Sequence, residues 1–273
     1  MIKGLSGTYR AVRASLVIPT LNEVDSVGKV LTAFRTAADA ANRGALSGDP
    51  VDWEILVVDG ASTDGTAERA RSLGAVVINE PRKGYGRAYK TGFERAQGSY
   101  IATADGDATY PVDRIPEVLS LLLAHGYDFV TCNRLARLDR RAMTTEHRIG
   151  NRVLNYAMAI GYHRFLAGVE GGRIEDSQSG MWVFRREILP RLKLTQDGMA
   201  FSEELKLEVI LRGLKFKEIP IDYSERATPP KLSSWRDGLR NLGFLVSKRR
   251  EVAREPASSK RSVVSKSKPS ESR

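Results

Sequence analysis

The chain has 273 residues and a formal net charge of +10, from 43 Lys and Arg against 33 Asp and Glu. That length suits one large domain or one domain with appendages, and the lone cysteine, Cys132, excludes an internal disulfide. No apolar run approaches the ~20 residues of a bilayer span, and residues 1–13 are polar and basic rather than signal-like. A cytoplasmic protein is expected, soluble or peripheral on the cytoplasmic face of a membrane, with no transmembrane helix.

In chain order, residues 14–18 read as a buried strand stopped by Pro19, and residues 24–41 have helical spacing. Residues 53–58 form a second strand ending at Asp59-Gly60, after which Asp64 is expected to cap a short helix through Leu73. Strands at 75–78, 100–104 and 127–131 alternate with helices at 84–96 and 113–125. Continuous apolar strands alternating with helices predict an α/β fold with a mostly parallel sheet covered on both faces.

In such sheets ligands bind beyond the C-terminal strand ends. Glu23, Asp59, Lys83 with Gly84, and the pair Asp105 and Asp107 should therefore gather on one rim. Like charges on adjacent strand ends repel unless a cation or sugar hydroxyls engage them. Asp105-Gly106-Asp107 is the sharpest signal: two carboxylates two residues apart, with a glycine between them that admits close approach. Hard oxygen ligands with room for water and phosphate describe a Mg²⁺ or Mn²⁺ site holding a diphosphate. Taken singly, Asp59 also reads as a turn residue and Glu23 as a charge favoured by a helix N-terminus.

Pro19-Thr-Leu-Asn-Glu23, Val57-Val-Asp-Gly-Ala-Ser-Thr-Asp-Gly-Thr66, Arg82-Lys-Gly-Tyr-Gly-Arg87 and Asp105-Gly-Asp-Ala-Thr-Tyr-Pro111 resemble the family 2 glycosyltransferases of GT-A fold. Among these the likeness is greatest to dolichyl- and polyprenyl-phosphate sugar synthases, over about residues 15–245. The resemblance implies a nucleotide-sugar donor, a divalent metal and inverting transfer of one sugar to a polyprenyl or dolichyl phosphate. It places Pro19, Leu21, Glu23, Val57 and Asp59 at the base and ribose, and Asp105, Gly106 and Asp107 at the metal and diphosphate. The sequence departs from the pattern at Gly60 and at Thr109, where many mannosyl-transferring relatives carry Gln. That departure favours UDP-glucose or UDP-N-acetylglucosamine over GDP-mannose.

The second half should serve the acceptor. Asp176-Ser-Gln-Ser-Gly180 resembles the family segment in which an acidic residue precedes Ser-Gly, and Glu203 or Glu204 aligns with an acidic position that is a base in many relatives. Acidic residues in a first helical turn also simply favour the dipole, so both readings stand. A phosphate acceptor is already anionic, with a second pKa of ~6, and needs no protein base. Cations then orient two anions and stabilise the leaving diphosphate. The resemblance assigns this work to Arg134, beside the acceptor phosphate, and to Arg226 and Lys231 in an Arg-x-x-x-x-Lys-Leu loop. Lys83 and Arg148 join the expected donor-binding set, and Asp107, Arg134 and Arg226 are the expected catalytic residues.

Ile149, Val153, Tyr156 and Ile160 share one helical face beside Arg148 and Arg152, and Trp235, Leu239, Leu242 and Val246 form a second stripe. Such stripes belong to core, to a subunit contact in a homo-oligomer, or to an anionic membrane surface. Residues 1–246 are expected to form the enzyme domain, with a nucleotide-binding half at 14–131 and an acceptor half at 132–246. Residues 247–273 carry nine Lys and Arg against three Glu and read as a disordered basic tail. The alternatives are transfer to a soluble hydroxyl, which requires Glu203 or Glu204 as base, and a nucleic-acid-binding protein. The latter rests on charge alone, and aromatic residues are only 7% of the chain.

Overall fold

The computed structural model describes residues 12–46, 48–138, 145–166, 169–224 and 234–254. Its first half is β1 (Val12–Thr20), α1 (Val24–Arg43), β2 (Val51–Asp59), α2 (Thr66–Ser72), β3 (Val76–Asn79), α3 (Tyr85–Arg95), β4 (Tyr100–Thr103) and α4 (Ile115–His125). Then follow β5 (Phe129–Leu138), α5 (Thr145–Leu166), β6 (Trp182–Arg185), α6 (Phe201–Leu211), β7 (Phe216–Tyr223) and α7 (Ser234–Arg254). The strands form one seven-stranded sheet in the order β3-β2-β1-β4-β6-β5-β7.

The expected α/β layering holds. Strands β1 to β4 pair in parallel, while β6 pairs antiparallel with both β4 and β5. Alternation along the strands divides the core: Leu16, Ile18 and Val57 face a layer with α1 and α4, whereas Val17, Leu56 and Val58 face Tyr89, Phe93, Trp182 and Phe201.

Several boundaries differ from expectation. Pro19 does not end β1, because its carbonyl side still pairs with β2 up to Thr20 opposite Asp59. Helix α2 begins at Thr66 behind Gly65 in a left-handed conformation at φ 91°. Asp64 instead accepts from the Thr66 N–H at 3.0 Å and the Val24 N–H at 3.1 Å, so it ties α1 to α2. At the other end, α7 runs to Arg254, through the boundary drawn at residue 246. Lys248, first of the expected tail cations, is buried and pairs with Glu208 at 2.6 Å. Residues 255–273 lie outside the described residues.

Candidate active site

The C-terminal ends of β1, β2 and β4 are stitched together by their own loops. The Gly60 N–H donates to the Thr20 carbonyl at 2.8 Å, where a Cβ on residue 60 would press on that oxygen at 3.2 Å. The Asn22 N–H donates to Ser62 Oγ at 2.8 Å, and the Thr63 N–H donates back to Asn22 Oδ1 at 2.9 Å. Ser26 Oγ then reaches across to the Gly106 carbonyl at 2.7 Å and to Glu23 Oε2 at 3.2 Å. A Cβ at Gly106 would lie 2.7 Å from Thr20 Cγ2, so only glycine lets the β4 loop sit this close to β1. Glu23, Asp59, Asp105 and Asp107 thus share one rim, as the strand-end rule predicts.

Backbone strain gathers at the same place. Among the described residues, the non-glycine positions with positive φ are Asn22 (50°), Ala61 (64°) and Ala108 (61°). Each lies within three residues of the end of β1, β2 or the Asp105-Asp107 pair. Alanine gains nothing locally from a left-handed conformation, so the surrounding hydrogen bonds must enforce it.

Asp59 is buried and accepts from Thr20 Oγ1 at 3.3 Å and the Ser62 N–H at 3.0 Å. Asp107 is buried as well, and its Oδ1 accepts from the Thr109 N–H at 3.1 Å and Thr109 Oγ1 at 2.7 Å. Thr109, a departure from the family pattern, therefore orients Asp107. Asp105 is half-buried, and its Oδ1 accepts from Tyr85 at 3.3 Å and Tyr89 at 3.1 Å. Burial, reinforced by neighbouring Asp105, holds both phenols well above their ordinary pKa, so they remain donors. Among the described residues no cluster of three metal-ligating side chains occurs. Two carboxylates completed by phosphate and water oxygens suit Mg²⁺ or Mn²⁺ and leave the ion dependent on substrate.

Lys83 is exposed behind a clamp that sequence reading missed: buried Glu80 accepts from Arg82 Nε at 2.7 Å and from Thr91 Oγ1 at 2.5 Å. Pro19 and Leu21 line the outer end of β1, partly buried and exposed respectively, and Val57 lies wholly inside the sheet. Its side chain packs in the core with Leu16 and Ile18, so it does not line the rim.

On the acceptor side the arrangement differs from expectation. Arg134 turns inward, and its Nε and a terminal nitrogen bind Asp176 at 2.8 and 2.9 Å, with the ring of Tyr223 5.4 Å from its guanidinium. Burial raises the cost of the Asp176 charge, yet Arg134 and Lys206 hold its carboxyl below the ordinary range. Sequence reading took Arg134 for a phosphate ligand, but its fork is spent on an internal carboxylate. Glu204 accepts from Thr195 N at 2.9 Å, Thr195 Oγ1 at 2.7 Å and Gln196 N at 2.8 Å. Glu203 is fully buried beside Gln178 and Lys206. Burial pushes its pKa up to about 8 against the pull of Lys206 and Gln178.

Arg226 and Lys231 lie outside the described residues. Ser224, the last described residue before them, donates its N–H to the Thr109 carbonyl at 3.0 Å. Arg148 stands half-buried in the first turns of α5. Segment 175–180 links both halves. The Gly180 carbonyl accepts from Thr103 Oγ1 at 2.8 Å, and a Cβ there would meet the Tyr85 hydroxyl at 2.1 Å. Asn155 of α5 accepts from the Ser177 N–H at 3.0 Å, and Asn241 of α7 donates to Gln178 at 2.9 Å.

Residues 15–192 match the family model described as glycosyl transferase family 2. The chain belongs to glycosyl transferase family 2 and is a glycosyltransferase of GT-A fold. It is 33% identical over 234 residues to the low-salt glycan biosynthesis hexosyltransferase Agl6 of Haloferax volcanii, covering 85% of this chain and 52% of Agl6. The chain thus spans about half the length of that relative. The dolichyl-phosphate hexose transferase of the same organism is 31% identical, with 82% of this chain and 88% of that protein covered. The glucosyl-3-phosphoglycerate synthase of Mycobacterium tuberculosis, solved with uridine diphosphate, superposes with a TM-score of 0.66 at 21% identity, over 87% of this chain and 80% of that one.

Proposed function

We propose that this chain transfers one sugar from a nucleotide sugar to the phosphate of a polyprenyl lipid, dolichyl phosphate being the type of acceptor. One observation carries the reading. The segment 175–180 that touches Asp105 through Tyr85 is bonded on its far side to α5 and α7. Those helices turn an apolar face to solvent: Ile149, Val153, Tyr156 (72% exposed), Ile160 (71%), Leu239 and Val246. Exposed Arg152, Arg164, Arg240, Arg249 and Arg250 share these helices. Leu242 of the second stripe packs on the core and Trp235 lies outside the residues whose side chains are described, but the six exposed positions are not core, and a basic, apolar face suits an anionic lipid surface. No helix among the described residues is long and apolar enough to cross a membrane.

Glu23 and Asp59 bind the nucleoside, and Asp105 and Asp107 hold a divalent ion, Mg²⁺ or Mn²⁺, with the diphosphate. That ion, when bound, neutralises the departing diphosphate. An acceptor phosphate oxygen attacks the anomeric carbon, the bond from that carbon to the diphosphate breaks with inversion, and the nucleoside diphosphate leaves with the electron pair. Lys83, Arg226 and Lys231 offset its charge. No protein base is required, in keeping with a Glu203 buried away from the surface and a Glu204 engaged in structure. The same two observations weigh against a hydroxyl acceptor.

Thr109, where many mannosyl-transferring relatives carry Gln, favours a UDP-sugar, and the similarity to a dolichyl-phosphate hexose transferase favours a hexose. UDP-glucose, UDP-N-acetylglucosamine and GDP-mannose should be offered with a short polyprenyl phosphate, with and without EDTA. Turnover of a UDP-sugar that EDTA abolishes is expected. Turnover with GDP-mannose alone would overturn the donor, and EDTA-resistant turnover would overturn the metal.

A further inference from the structure

Lys206, on α6, is fully buried, and its Nζ donates to three backbone carbonyls: Asp176 at 2.8 Å, Ser177 at 3.0 Å and Ser179 at 2.9 Å. Three acceptors need three N–H donors, which only the ammonium form supplies. The Trp182 ring lies 6.0 Å from Nζ. Asp176, Glu218, Arg134 and Glu203 are the charged or titratable groups that face it. A buried lysine is expensive, and an apolar side chain would normally fill such a place at less cost. What the ammonium does here is gather carbonyls that would otherwise repel one another, as a small structural cation would.

The segment it gathers has two other engagements. The Asp176 side chain binds the Arg134 fork and the Arg134 N–H, the latter at 2.9 Å. At the other end the Gly180 N–H donates to Tyr110 at 2.7 Å, and the Gly180 carbonyl is held by Thr103. Between these ends, Ser177 and Gln178 take their bonds from α5 and α7. The β1–β2 loops that carry Glu23 and Asp59 have no hydrogen bond to Lys206 among the described residues.

We propose that Lys206 is a positioning residue whose buried ammonium sets segment 176–180 against Asp105 on one side and the lipid-facing helices on the other, so that it governs acceptor use without governing nucleotide binding. The acceptor half of this statement rests on the proposed function.

The experiment compares Lys206→Met and Lys206→Gln with wild type. UDP binding with Mn²⁺ is measured by calorimetry, kcat/KM with a polyprenyl phosphate, and amide exchange over residues 176–180. Both variants should keep the UDP affinity within about twofold. They should lose about 10²-fold in kcat/KM for the acceptor, the cost typical of a displacement near 1 Å. Exchange over 176–180 should quicken at least tenfold while β1 and β2 stay as in wild type. Gln, with two donors, should fall between Met and Lys. Folded variants with wild-type acceptor kinetics, or with UDP binding lost in parallel, would overturn the proposal. Failure of both to fold would overturn it too, by making Lys206 a general structural residue. If wild type itself uses no polyprenyl phosphate, the proposed function has failed, and exchange over 176–180 decides alone: unchanged exchange in Lys206→Gln refutes the positioning role.

Discussion

The strand-end rim and the second half of the chain place their charges in opposite ways. On the rim, Glu23, Asp59, Asp105 and Asp107 sit on strand ends, and short loops hold them in left-handed turns at Asn22, Ala61 and Ala108. In the second half of the chain the charges are inside: Arg134 with Asp176, Lys206 under three carbonyls, Lys248 with Glu208, and Glu203 with its pKa pushed up by burial. A carboxylate at the rim can wait for a metal or a ribose hydroxyl. A charge in the interior must already have its partner, so it shapes the site rather than touching substrate.

The largest expected effects test the rim. Asp107→Ala should abolish transfer, by about 10³-fold or more, while circular dichroism and melting stay near wild type, because in the proposed mechanism its carboxylate works on the diphosphate's ion. A folded, active variant would move the metal elsewhere. Arg226→Ala should cost about 10²–10³ in kcat, as loss of one transition-state electrostatic contact does, with little change in stability. Arg134→Ala should behave in the contrary way. It leaves Asp176 charged and buried without its fork, so an unfolding free energy lower by about 3–5 kcal/mol is expected along with lost activity. Wild-type stability of Arg134→Ala would erase the distinction between rim and interior.

Glu203→Gln sharpens the comparison from the inside. A buried carboxyl that keeps its proton resembles an amide, so turnover should stay within a few-fold. The pH sign follows from linkage: the folded pKa, about 8, lies above the unfolded value near 4.5. Folded protein therefore binds the extra proton between those values, and its stability falls as pH rises through that window, by about 1.4 kcal/mol per unit. Denaturant melts should show wild type losing ground to Glu203→Gln from pH 5 to pH 8, with no divergence below pH 4.5. Parallel curves would mean that Glu203 is ionised.

The smallest effect concerns the membrane. Truncation after Arg254 removes five Lys and Arg against two Glu. Each basic residue near anionic lipid adds roughly 1 kcal/mol, weakened by salt. Liposome sedimentation should fall several-fold, while transfer to a detergent-solubilised acceptor is spared. Leu239→Asp with Ile160→Asp should weaken sedimentation further if the apolar face of α5 and α7 enters the lipid.

The two sides also differ in how much the sequence reveals. Rim residues were legible because each follows a buried apolar run and a turn, so periodicity and the strand-end rule suffice to gather them. Strand β6 was not legible as the reversed strand between β4 and β5. Its four residues carry no local mark of direction, and its partners lie about 80 and 50 positions away. The pairing of Arg134 was not legible for a related reason. Nothing near it in sequence says that Asp176, 42 residues on, will take its fork. Lys206 and Lys248 likewise look like surface cations on amphipathic helices until the segment beneath them is in place. Glu204 and Glu203 stand side by side in a first turn, and only the third dimension separates a satisfied carboxylate from a buried acid.

The central claim is that the acceptor is a lipid phosphate and that no protein base takes part. It is tested by offering UDP-glucose and Mn²⁺ with a short polyprenyl phosphate or the matching polyprenol, to wild type and to Glu203→Gln, and weighing the products by mass spectrometry. The account predicts one hexose added to the phosphate by both proteins and none to the alcohol. Hexose on the polyprenol, or transfer by wild type that disappears in Glu203→Gln, would contradict it.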